Sequence, residues 1–77
     1  MKLSVAVGKR IENLLTEKGL KPYYLFKEGG IPRSTVSVII HGKYDTVNLD
    51  TVYQIAATLN ITLKEFFADK LFEDALD

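Results

Sequence analysis

Between Leu20 and Gly42 the chain reads LKPYYLFKEGGIPRSTVSVIIHG, and the glycine pair inside it limits what can be built on either side. At Gly29-Gly30 the backbone is sterically relaxed, so a sharp change of direction is expected there. Leu20, Leu25, Ile31, Val36, Ile39 and Ile40 are the apolar points around that turn. Their spacing predicts two short helices, 22–28 and 33–41, meeting at the glycines. Pro22 suits a first helical position, whose N–H has no partner inside a helix. Gly42 stands where a left-handed residue ends the second helix. Val36, Ile39 and Ile40 give that helix a buried side, which leaves Arg33, Ser34, Thr35, Ser37, Val38 and His41 on the other.

The flanking segments keep helical periodicity. Val7, Ile11, Leu14 and Leu15 form one apolar stripe over 4–18, with Lys9, Arg10, Glu12, Asn13 and Glu17 mostly off it. Ser4 is the expected cap at the start of that helix and Gly19 the expected stop. Gly8 lowers its helix propensity by ~1 kcal/mol relative to alanine, a loss that a close neighbour would explain. A fourth helix is expected over 49–59, capped by Asn48 and carrying Leu49, Val52, Ile55, Ala56 and Leu59. Thr62-Leu63-Lys64-Glu65 fits a capping box, and Ile61 with Phe66 fits the hydrophobic staple, so a fifth helix is expected over 63–70 with a tail at 71–77. Five helices joined by short connections make residues 1–77 a single all-α domain, a compact five-helix bundle.

Composition narrows the function. There is no cysteine and His41 is the only histidine, so neither a thiolate nor a multi-histidine metal site is expected, and no cofactor is implied. A nucleophile beside a base, or paired carboxylates in a cleft, is also missing from the pattern, which argues against an enzyme. No apolar run approaches the ~20 residues that span a bilayer. Leu3–Val7 is too short for a secretory core, so the cytoplasm is the expected compartment.

Formal net charge is zero, yet the charge is unevenly placed. From Met1 to Tyr44 eight Lys/Arg face three acids, a net of +5; from Asp45 to Asp77 two Lys face seven acids, a net of −5. Such a molecule can turn a basic face to a polyanion and an acidic half away from it. Chance asymmetry in a small domain gives the same count.

Taken in order, these residues resemble the Cro/repressor-type (XRE-like) helix-turn-helix regulators over roughly residues 6–68. The resemblance is carried by the first stripe through Leu14 and Leu15, Gly19-Leu20, Leu25, Gly30-Ile31, Ser34-Thr35-Val36-Ser37 with Ile39, and His41-Gly42-Lys43. The fourth-helix apolar set and Asn60–Phe66 complete it. It implies a lambda-repressor-like DNA-binding fold with the helix-turn-helix at helices two and three. Three features depart from the family pattern. Phe26 replaces a small residue, pointing to altered packing or a repacked pocket beside helices two and three. Lys21-Pro22 replace a Ser/Thr-Gln pair that touches phosphate and orients the recognition residues. Pro32 stands where a Ser or Thr usually caps helix three.

On that fold, helix three would enter the major groove of double-stranded DNA. Arg33 can give bidentate hydrogen bonds to guanine, Ser34, Thr35 and Ser37 can reach base edges or phosphate, and Val38 can add an apolar contact. Lys21, Tyr23, His41, Lys43 and Tyr44 are the expected phosphate contacts. Each has a plainer reading. The serines and threonine suit any solvated helix face, His41 suits a helix end, and Lys43 and Tyr44 suit a loop. Tyr23 and Tyr24 suit the core edge. If helix five ran on through the tail, Phe67 and Leu71 would line one stripe and Phe72 and Leu76 another, more than a small core can bury. A homodimer through those residues is expected, with recognition helices ~34 Å apart on a palindromic site. The function implied is a sequence-specific transcriptional regulator, a repressor, with no small-molecule ligand. A protein-interaction module, an adaptor or antitoxin-like partner on the same scaffold, is the alternative.

Overall fold

Helix α1 (Leu3–Glu17) buries the stripe its spacing predicts, with Val7, Ile11, Leu14 and Leu15 all in the core. The computed structural model describes residues 1–75. After α1 come α2 (Tyr23–Gly29), α3 (Arg33–His41), α4 (Leu49–Thr58), α5 (Leu63–Phe67) and a 3-10 turn at Lys70–Phe72. All secondary structure among the described residues is helical, so the expected all-α bundle of five α-helices is what forms. Phe66, Ile11, Leu25, Ile31 and Ile55 are the largest side chains fully removed from water, and one residue from each of five segments meets there.

Two glycines set how closely the helices pack. A Cβ at position 8 would collide with the backbone carbonyls of Ile39 and Ile40. Glycine there lets α1 lie directly on the last turn of α3, which accounts for the propensity it gives up. Gly29 plays the same part between α2 and α4, where an added Cβ would lie 2.5 Å from Thr58 Oγ1. The turn between α2 and α3 passes through Gly30 at φ 67°, with the Gly30 N–H donating to the Phe26 carbonyl at 3.1 Å. A side chain at that φ would be strained, so the turn requires glycine. Thus α3 is held from behind by α1 and from the side by α2.

At several points the fold departs from the sequence expectation. Ser4 does not cap α1; it lies inside the helix, buried, with its hydroxyl unpaired, while the Lys2 carbonyl accepts the Ala6 N–H. Leu49 opens α4 but is 63% exposed, and the buried side of that helix begins at Val52. Arg10, expected off the stripe, is only 9% exposed. Its Nε donates to the Phe66 carbonyl at 2.7 Å, one terminal nitrogen to the Glu65 carbonyl at 2.9 Å, and the other meets Asp69 at 3.2 Å.

That arginine also explains why α5 stops at Phe67 rather than running to residue 70. The carbonyls of Glu65 and Phe66 are the ones a next helical turn would use as acceptors. Arg10 donates to both, sharing the Glu65 carbonyl with the Ala68 N–H at 3.3 Å, and Asp69 accepts the Leu71 N–H at 3.0 Å. The chain then folds onto α1, and Phe72 packs edge-on against Phe67 with ring centroids 4.9 Å apart. The two stripes of a continuous helix therefore do not form, and part of the aromatic surplus is used within the chain. Leu76 lies outside the described residues. The start of α5 is as expected: the Thr62 hydroxyl accepts the Glu65 N–H and Glu65 accepts the Thr62 N–H, both at 3.0 Å.

Candidate nucleic-acid interface

Successive residues of a helix step ~100° around its axis, so the outward residues of α3 cannot all point one way. Ser34, Val38 and His41 fall along the central ridge. Arg33, Ser37 and His41 line an open cleft of about 490 Å³ on the α2 side, together with Tyr23, Phe26, Val36, Ile40 and Glu12. Thr35 and Val38 line a smaller one, about 110 Å³, against the loop to α4, where Tyr44 and Thr46 face them. Arg33, Ser34 and His41 are exposed; Thr35, Ser37 and Val38 are half-buried.

Arg33 is the first residue of α3, and its side chain turns sideways over α2. Its guanidinium carbon sits 4.7 Å from the ring centre of Phe26 and 5.6 Å from that of Tyr23. Those rings lie 5.9 Å apart at 45° to each other and are themselves 36% and 54% exposed. The arrangement follows from local sequence. Tyr23 and Phe26 are three apart on α2 and share a face, while Leu25 goes to the core. The ring faces attract the cation and remove part of its motion. Arg33 makes no ion pair or hydrogen bond among the described residues, although Glu12 borders the same cleft. The guanidinium therefore lies over the faces of two rings, and its N–H groups remain available to an acceptor.

At the far end of α3, His41 Nδ1 lies 2.7 Å from the Ser37 carbonyl. A carbonyl only accepts, so this contact needs the proton on Nδ1, and Nε2 has no protein partner among the described residues. Gly42, at φ 60°, ends the helix and delivers Lys43 and Tyr44 to the surface. The Lys43 N–H donates to the Val38 carbonyl at 3.2 Å, which ties the loop to the helix. Lys21 is exposed ahead of α2, its carbonyl accepting the Tyr24 N–H at 2.9 Å. Tyr24 packs half-buried against the core, and Tyr23 is the one that stays outside.

The structure thus gathers Arg33, Ser34, Thr35, Ser37, Val38 and His41 on one helix, with Lys21, Tyr23, Lys43 and Tyr44 at its two margins. The basic half is smaller than the count implied, since Lys2 pairs with Asp45 and Arg10 with Asp69 across the two halves. The residue that sequence reasoning left unplaced is Phe26. Its signal was the spacing to Tyr23, with an arginine at the head of the next helix.

A family model for the Cro/C1-type HTH DNA-binding domain matches residues 10–70. The chain belongs to that family. No curated protein and no solved structure matches the chain. As a Cro/C1-type domain it is a DNA-binding unit of transcription regulation, and α2 and α3 are its helix-turn-helix pair. The matched region runs from the buried Arg10 to the 3-10 turn, so it includes both the Arg10 seam and the Arg33 edge. No helix among the described residues is long and apolar enough to cross a membrane.

Proposed function

We propose that this Cro/C1-type domain is a sequence-specific transcriptional regulator, a repressor, that lays α3 in the major groove of double-stranded DNA in the cytoplasm. The observation that carries the reading is Arg33: exposed, at the first position of α3, with no carboxylate paired to it among the described residues. A helix ~10–12 Å across fits a groove ~12 Å wide, tip first. Arg33 is assigned the guanine O6 and N7 contact. Ser34, Thr35, Ser37 and Val38 are assigned the neighbouring base edges, Ser34 and Val38 at the centre of the ridge. Lys21, Tyr23, His41, Lys43 and Tyr44 are assigned phosphates, which fix register without reading sequence.

A homodimer belongs to the same proposal. Phe67, Leu71 and Phe72 keep part of their surface in water, and Phe67 shares a cleft with the outward Leu3 and Leu49. A second copy over this region, with Leu76 added, would bring two α3 helices to half-sites ~34 Å apart. A monomer by sedimentation at tens of micromolar, with and without duplex, would remove the dimer from the reading.

The open apolar cleft beside exposed Tyr23 and Phe26 supports the second reading, a protein-interaction module. Titration with a random-sequence duplex at two salt concentrations separates the two. Binding that falls steeply with salt, as released counterions require, supports the regulator. An absence of binding even at low salt would transfer the cleft to a protein partner.

A further inference from the structure

We propose that Phe26, with Tyr23, is a specificity-determining shelf: it holds Arg33 for a guanine and itself reads a thymine methyl on the adjacent base pair. The proposal rests on the duplex-binding reading above and names the dinucleotide which that site prefers.

The argument starts from the geometry of the guanidinium. To bond O6 and N7 of guanine together, the guanidinium must lie close to the plane of that base. A ring seated on its face then lies at the level of the neighbouring base pair, since stacked bases are ~3.4 Å apart along the strand. Phe26 is the ring in position for this, since the guanidinium carbon lies over its face, 4.7 Å from the ring centre. In the major groove the feature a neighbouring pair offers to an apolar surface is the C5 methyl of thymine. Phe26 has surface left to receive it, being 36% exposed beside an open cleft whose other walls include Tyr23, Val36 and Ile40.

The shelf also addresses an absence in the sequence. The position ahead of α2 is Lys21-Pro22, and neither residue makes a side-chain hydrogen bond to Arg33. Arg33 is steadied by ring faces instead. Ring faces leave every N–H of the guanidinium free for the base, whereas a carboxylate or amide partner would occupy some of them. Phe26 is a positioning residue for the guanine contact and a contact residue for the thymine.

The test uses the full chain and duplexes selected from a random pool. The intact protein should enrich a guanine flanked by thymine. Replacing that thymine by deoxyuracil removes the methyl alone and should weaken binding about fourfold, the burial of one carbon. Phe26→Ala should be insensitive to that replacement and lose roughly tenfold in its preference for the guanine. Phe26→Tyr should retain both preferences, and a circular-dichroism melt of each variant confirms folding at this exposed position. Equal guanine and thymine preferences in Phe26→Ala and the intact protein would overturn the shelf while leaving the regulator standing. Failure of the intact protein to bind any duplex at low salt would overturn both.

Discussion

The two arginines that matter most in this domain stand in opposite environments. Arg10, on α1, is buried with all its visible bonds made to its own chain: two backbone carbonyls of α5 and the Asp69 carboxylate. Arg33, on α3, is exposed, lies over two ring faces and makes no hydrogen bond or ion pair among the described residues, which leaves its N–H groups open. Removing a guanidinium from water has a large desolvation cost, so a buried one must be satisfied on nearly every side. A guanidinium that is to meet a ligand must remain unsatisfied until the ligand arrives. The same side chain thus closes the fold at one end and stays available at the other.

The contrast can be broken most strongly at Arg10. Arg10→Ala should destabilise the domain by about 3 kcal/mol, because Asp69 and two carbonyls lose their partner in a partly dry seam. Urea denaturation followed by circular dichroism measures it, and an effect below ~1 kcal/mol would mean that water replaces the guanidinium. Arg10→Met should recover part of the loss by refilling the volume.

Arg33→Ala sharpens the other side. Binding to the selected duplex should weaken by roughly 2 kcal/mol, with relaxed preference at one base pair. The denaturation midpoint should hardly move, since the residue is at the surface. A large shift in that midpoint would show that the aromatic contact is structural and erase the distinction between the arginines.

Next in size comes Thr62→Ala at the start of α5, which should cost about 1 kcal/mol of stability by removing the cap beside the Arg10 seam. Binding preference should not change in that variant. Lys43→Ala should weaken all duplexes alike and reduce the salt slope by about 1, unlike the sequence-dependent loss at Arg33.

The smallest effect concerns acid. The Thr62 N–H and hydroxyl, with the Lys18 charge beyond them, hold the Glu65 carboxyl below its ordinary value of 4.5. A lowered folded pKa contributes stability that is complete above the unfolded value and is lost as pH falls through the folded one. Stability should therefore decline below about pH 4.5, and Glu65→Gln should flatten part of that decline in melts run from pH 6 to pH 3.

Much of this contrast is legible in residue spacing alone. The stripe of α1, the two short helices around Gly29-Gly30, Gly42 as a stop and the Thr62–Glu65 capping box are local, so residue spacing and backbone sterics suffice to find them. Arg33 at the head of α3 was legible for the same reason. Arg10 was not. Lying off the predicted apolar stripe, it reads as a solvated residue until α5 is brought against it from more than fifty positions away. The error at the end of α5 follows directly, because propensity cannot show that another helix will take the carbonyls needed for the next turn.

The sequence by itself determined the number and order of the helices, the core stripes and the turn on which α3 is mounted, since each depends on residues a few positions apart. Tertiary structure decided where α5 ends, which charges neutralise one another across the two halves, and that Phe26 lies under Arg33 rather than in the core. Those outcomes depend on which surfaces meet, and burial, hydrogen bonding and ring contact take their values only when distant segments come within a few ångströms.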